Sequence, residues 1–250
     1  ILCRIEQARQ TAVRITHEAT LHLQNSFITL TYNDKHLPAL GGLHYEDLTA
    51  FWKRARYHYG ELSYYAVGEY GEKSNRPHYH ACVFGHDFFE GSVILKEAPN
   101  RLWTNPQLNQ IWGLGHVVIG TLDHNTASYT AGYILKKQRA KQRYCVIDTE
   151  TGESITVNAP RAFMSRNIGR GWYDKWNQGL QDHDRVIING KPQKPPKAYD
   201  RWLGETNKQK IEEIKAKRIK QAQKKQTTDE QRRARAHNAR THATQRRQTV

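Results

Sequence analysis

The sequence predicts an α+β fold, a central antiparallel sheet with helices packed against one face and a basic, partly disordered C-terminal tail. Three observations carry that expectation. The run 25–32 (Asn-Ser-Phe-Ile-Thr-Leu-Thr-Tyr) alternates and is rich in β-branched residues, as a half-buried strand is. The runs 62–70 and 76–84 are also strand-like and are separated only by the turn-rich 71–75, so they read as a hairpin. Segments of helical period stand among these strands, and two strands and a helix recurring with changes fit helices laid on an antiparallel sheet.

Taken in order, residues 1–22 place Ile5, Ala8, Ala12, Ile15 and Ala19 at helical spacing, with Arg4, Arg9 and Arg14 on the polar side. The 25–32 strand and a loop through Asn33-Asp34 and 38–42 follow. Segment 45–59 is a helix with Leu48, Phe51, Trp52 and Ala55 inward and Lys53, Arg54 and Arg56 outward; His44 or Asp47 caps its start. After the hairpin, 86–101 reads as a loop and 101–112 as a helix with Leu102, Trp103, Leu108 and Ile111 apolar. Residues 117–122 form a strand, and Asp123-His124-Asn125-Thr126 starts a helix running to about residue 138. A second hairpin pairs 144–147 with 154–157, and 186–190 is a short strand followed by an extended linker at 191–196. From residue 205 the chain turns Lys/Arg/Gln/Ala-rich, with Ile211, Ile214 and Ile219 as one helical stripe. Beyond about residue 226 aliphatic residues nearly vanish, so disorder is expected there until a partner binds.

Composition narrows the function. The chain has 250 residues, 25% charged, with a formal net charge of +15, an excess that suits a polyanionic partner, usually nucleic acid. Residues 201–250 hold 15 Lys and Arg against 5 Asp and Glu, so most of the excess is C-terminal. Cys3, Cys82 and Cys145 are scattered, with no Cys-x-x-Cys spacing, which argues against a disulfide framework or a zinc ribbon. No apolar run approaches the ~20 residues that span a bilayer, so no membrane role is expected.

The stretch Arg76-Pro-His78-Tyr-His80-Ala-Cys-Val-Phe-Gly85 carries the chemistry. Successive side chains of a strand point to opposite faces, so His78 and His80 share one. Hairpin pairing brings Glu69 near both, and one oxygen with two nitrogens suits Mg²⁺ or Mn²⁺ that must also accept a phosphate oxygen. A structural zinc site would want four protein ligands, and none is evident. On the 124–138 helix, Tyr129 and Tyr133 lie one turn apart on one face. At ~100° per residue Lys136 falls about 20° from Tyr129, whereas Lys137 points about 80° aside. Interleaved basic and aromatic residues at 161–176, with Arg161, Arg166, Arg170 and Trp172, suit single-stranded DNA, in which bases stack on rings and phosphates meet cations. His116 and His124 read as non-ligands.

Together these stretches resemble the HUH endonuclease superfamily, in which a His-hydrophobic-His strand precedes a helix bearing one or two tyrosines and a lysine. Phe27-Ile-Thr-Leu-Thr-Tyr32 with Asn33-Asp34 looks like that family's first motif. Gly68-Glu-Tyr-Gly-Glu-Lys73 before Arg76-Pro-His78-Tyr-His80, and the segment 161–173, resemble the rolling-circle replication initiators of microvirus-type phages, gokushovirus branch. The pair Tyr129-x-x-x-Tyr133-x-x-Lys136 fits the two-tyrosine class.

The resemblance covers roughly residues 1–180 and implies a ferredoxin- or RRM-like core. It implies an endonuclease domain at 1–185, a linker at 186–204 and a basic tail at 205–250. It also implies metal ligands His78, His80 and Glu69, with Glu72 as the fallback third ligand, and catalytic residues Tyr129, Tyr133 and Lys136. If one tyrosine suffices, Tyr133 is favoured as nearer Lys136. Arg76, Lys137, Arg161, Arg166, Arg170 and Trp172 would meet DNA. The implied partners are single-stranded origin DNA and the host replication helicase and polymerase, in the cytoplasm of the bacterial host. The competing readings are a relaxase or transposase of the same chemistry and a non-catalytic basic nucleic-acid-binding protein.

Overall fold

The computed structural model describes residues 2–71, 74–137, 144–148, 151–224 and 228–245, without the side chains of residues 2, 134–137, 240 and 242–245. Helix α1 spans Leu2–Ala19, strand β1 Asn25–Tyr32 and helix α2 Tyr45–Tyr59. The hairpin is β2 (Ser63–Tyr70) and β3 (Pro77–Phe84). Then come β4 (Val93–Lys96), β5 (Leu102–Thr104), α3 (Pro106–Trp112), β6 (Gly115–Gly120) and α4 (His124–Lys137). A small hairpin, β7 (Cys145–Ile147) and β8 (Ser154–Thr156), precedes β9 (Ala162–Met164) and α5 (Arg170–His183). The rest is β10 (Val186–Ile188), β11 (Lys191–Gln193), α6 (Lys197–Thr206), α7 (Lys208–Lys224) and α8 (Asp229–Gln245).

The chain divides into two compact units, Thr11–Trp172 and a second made of Ile1–Gln10 with Tyr173–Val250. The first holds a seven-stranded antiparallel sheet in the order β4-β5-β6-β1-β3-β2-β9. The expected α+β class and antiparallel sheet are therefore present.

The helices, however, cover both faces rather than one. Leu48, Phe51 and Trp52 of α2 and Leu108, Ile111 and Trp112 of α3 pack on Ile28, Leu30, Ala66, Tyr79, Ala81 and Val83. On the opposite face Ile15 of α1 and Ala127 and Tyr133 of α4 pack with Tyr65, Val67, Cys82 and Phe84. The reason is visible in β3, where every residue from Tyr79 to Phe84 is buried; a strand with no polar face needs cover on both sides.

Two further expectations are corrected. Residues 86–101 contain β4, whose Val93 and Ile94 pair with Thr104 and Trp103. The helix expected at 101–112 begins only at Pro106, because Leu102–Thr104 is strand β5. Asn105 marks the switch: its side chain accepts the Leu108 amide at 3.1 Å, and Pro106 is preset for a first turn while holding its predecessor extended. Gly115 lets β1 and β6 pair closely, since a Cβ there would lie 2.2 Å from the Thr31 carbonyl oxygen.

In the second unit, residues 191–196 are not simply extended. Lys191–Gln193 returns on Val186–Ile188 around Asn189 and Gly190, both at positive φ, as two-residue hairpin loops prefer. Tyr199, Trp202 and Leu203 of α6 and Ile211 and Ile214 of α7 are buried, and Arg218 bridges Asp184 and Asp200. The stretch expected to stay disordered alone forms α8, in which no described side chain is buried. No helix among the described residues is long and apolar enough to cross a membrane.

Candidate metal centre and tyrosine face

Strand pairing builds the site. Register sets Glu69 directly opposite His78, and Thr29 of β1 opposite His80. All four side chains belong to the sheet face that α1 and α4 cover, with His80 two residues along from His78, as period-2 alternation requires. Glu69 Oε1 accepts a hydrogen bond from His78 Nε2 at 2.9 Å and lies 3.5 Å from His80 Nε2. His78 Nδ1 is 3.2 Å from the Arg76 carbonyl oxygen, and His80 Nδ1 is 2.9 Å from Thr29 Oγ1.

Glu69 and His80 are both 7% exposed. Burial opposes ionisation of Glu69, but the hydrogen bonds from His78 and His80 outweigh it and hold the carboxyl at about 2. Glu69 is therefore an anion at neutral pH. One ligand atom from each of Glu69, His78 and His80 lies within 4.8 Å of the others, a spacing that fits a single cation. A hard carboxylate oxygen with two imidazoles suits Mg²⁺ or Mn²⁺.

Helix α4 supplies the opposing wall. Its start is fixed reciprocally: Asp123 Oδ1 accepts the Thr126 amide at 2.7 Å, and Thr126 Oγ1 accepts the Asp123 amide at 2.8 Å. Tyr129 and Tyr133 share a face, their rings 4.5 Å apart and edge to face. The Tyr133 ring stacks on His80 at 4.9 Å and 10°, and Tyr129 meets His80 edge-on at 5.7 Å. Phe27 lies nearly parallel to His80 at 5.5 Å. Tyr133 is 4% exposed, whereas Tyr129 is half-buried. The sheet-borne ligands and the tyrosine face thus adjoin.

The remaining expected residues are more dispersed. Arg76 donates to Asp34 Oδ1 at 2.6 Å and to the Tyr32 carbonyl at 3.0 Å, at the hairpin end of the site. The Arg161 guanidinium lies over the Tyr45 and Phe163 rings at 4.3 and 4.6 Å, on the α2 face of the sheet and away from the ligands. Arg166 is exposed after β9, and Arg170 opens α5. Trp172 stacks on His17 of α1 at 3.5 Å. The basic and aromatic stretch 161–172 therefore spreads over more than one surface. Glu72 and the side chains of Lys136 and Lys137 lie outside the described residues. Residue-by-residue reading missed Thr29 and Phe27 as neighbours of His80. Alternation in β1 puts both on one face, but only the β1–β3 register shows which strand they meet.

The family model for the replication-associated protein ORF2 family matches residues 25–138, which include the ligand strands and α4. The chain is 28% identical over 228 residues to replication-associated protein VP4 of Bdellovibrio phage phiMH2K, covering 87% of this chain and 70% of that protein. It is 30% identical over 217 residues to replication-associated protein ORF2 of Spiroplasma virus 4, covering 80% of this chain and 65% of that protein. It is 28% identical over 198 residues to replication-associated protein ORF4 of Chlamydia phage 1, covering 75% of this chain but only 48% of that protein. No solved structure matches the chain.

Proposed function

From a chain that belongs to the replication-associated protein ORF2 family, we propose a replication initiator that nicks single-stranded origin DNA through a tyrosine and later rejoins it. The names of its relatives support a role in phage DNA replication. The observation that carries the chemistry is that His80, in the ligand set with Glu69 and His78, touches both Tyr129 and Tyr133.

Mg²⁺ or Mn²⁺ held by Glu69, His78 and His80 would polarise the scissile phosphate and offset its charge. The phenol oxygen of a tyrosine attacks phosphorus, and an O–P bond forms as the bond to the 3′ oxygen breaks. The phenol gives up its proton and the 3′ oxygen gains one. The 5′ end stays on the protein and a 3′-hydroxyl is left for extension. Because one phosphodiester replaces another, the reverse attack can reseal the strand. A phenol near pKa ~10 needs help to react at neutral pH, and Lys136, in the turn of α4 that follows Tyr133, is the proposed cation beside it. Tyr129 is the more exposed ring and is the one an incoming strand reaches first; Tyr133 serves the second cut. Arg76 stands at the hairpin end of the site, and Arg161, Arg166, Arg170, Trp172 and Lys137 would hold flanking DNA. The host helicase and polymerase would then extend the 3′ end, in the host cytoplasm.

The test is incubation with labelled origin single-stranded DNA and Mn²⁺, followed by mass mapping of DNA-linked peptides. The expected adduct is on Tyr129 or Tyr133, and it disappears in the Tyr129→Phe/Tyr133→Phe protein while DNA binding remains. Adducts that survive the double substitution, or none with any substrate and metal, would leave a DNA-binding protein without this chemistry.

A further inference from the structure

The two histidines of the ligand set are oriented by different means. His78 leans on a backbone carbonyl, that of Arg76, at 3.2 Å. His80 leans on a side chain, with Nδ1 2.9 Å from Thr29 Oγ1. Its ring is also flanked by Phe27 at 5.5 Å and Tyr133 at 4.9 Å, both nearly parallel to it. The two rings limit tilt but leave rotation in the ring plane and the choice of protonated nitrogen undecided. Only a polar neighbour can settle those, and at Nδ1 that neighbour is Thr29.

We propose that Thr29 is the positioning residue of the metal centre. Its hydroxyl oxygen accepts a hydrogen bond from His80 Nδ1–H, and so keeps the Nε2 lone pair aimed at the position shared with Glu69 and His78. A cation binds only the deprotonated nitrogen, so the acceptor at Nδ1 selects the binding tautomer. Strand pairing makes the contact rigid, because Thr29 and His80 are register partners on adjacent central strands. Thr29 touches neither DNA nor cation in this role and acts through His80. The inference rests on the proposed metal centre.

The experiment is Mn²⁺ binding, followed by electron paramagnetic resonance of free Mn²⁺, on the full chain and on Thr29→Val, Thr29→Ser and His80→Ala. Valine keeps the branched shape and β propensity of threonine while deleting the hydroxyl. Loss of such an outer partner weakens metal binding roughly 10–100-fold, so Thr29→Val should show that loss, Thr29→Ser should recover most of it, and thermal midpoints should stay close to wild type. If wild type binds Mn²⁺, His80→Ala does not, and Thr29→Val binds within about twofold of wild type, the role of Thr29 is overturned while the metal centre stands. If His80→Ala binds as well as wild type, the metal centre itself fails and Thr29 loses its role with it. Should Thr29→Val melt much earlier, Thr29→Ser decides the matter: a serine that binds as weakly as valine overturns the hydroxyl argument.

Discussion

His17 ties the stability of the sheet-containing unit to pH. It is 3% exposed in α1 and stacks on Trp172 at 3.5 Å. Burial, aided by nearby His124, lowers its pKa from 6.5 to about 3. The unfolded chain takes up this proton near 6.5 and the folded chain only near 3. Folding therefore weakens as the solution is acidified from 6.5 towards 3 and changes no further below that. At ~1.4 kcal/mol per pH unit, this one site removes about 2 kcal/mol between about pH 7.5 and about pH 5. Glu69 titrates in a lower window: its carboxyl, held at about 2 against 4.5, stabilises above 4.5 and loses that contribution only as pH falls towards 2. The perturbation is His17→Phe, which keeps a ring on Trp172 but cannot take up a proton. Urea denaturation followed by tryptophan fluorescence gives the unfolding free energy of both proteins at the two pH values. The variant should lose about 2 kcal/mol less than wild type on acidification. Equal losses would show that His17 is not held neutral by the fold and would refute the reasoning.

Other outcomes follow from the same geometry. Tyr129→Phe should abolish the first DNA adduct in a single-turnover assay, whereas Tyr133→Phe, which keeps the ring on His80, should leave it nearly intact and block only the second transfer; the reverse pattern would mean that burial does not set the order. Gly115→Ala would force a Cβ to 2.2 Å from the Thr31 carbonyl oxygen and 2.6 Å from the Asn33 amide nitrogen, and should cost about 3 kcal/mol or more in urea unfolding. Gly132→Ala in α4 meets nothing within 4 Å and should instead stabilise by roughly 0.5–1 kcal/mol.

Much of this protein was legible before any coordinates. The strand at 25–32 and the helix at 45–59 fall where their periodicity places them, and the hairpin is off by one residue at each of two strand starts. Local patterns suffice there because each element buries one continuous stripe or alternates cleanly. The shared face of His78 and His80, and the shared face of Tyr129 and Tyr133, likewise follow from the periods of strand and helix alone. Residues 86–112 were less legible: three-residue β5 is too short for a period, and the apolar Leu102 and Trp103 extend a helical pattern that Pro106 in fact begins.

What the sequence by itself determined is each element's own chemistry: which side chains share a face, which residues start a helix, and where positive charge collects. What only the tertiary structure decided is which faces meet. The β1–β3 register brings Thr29 to His80, and the packing of α4 on the site face brings the tyrosines to the same imidazole. Packing also divides Arg161 from the ligand set and covers the second sheet face with α1 and α4. These pairings join residues tens of positions apart. They are fixed by the fit of whole surfaces to one another, for which no period along the chain carries a signal.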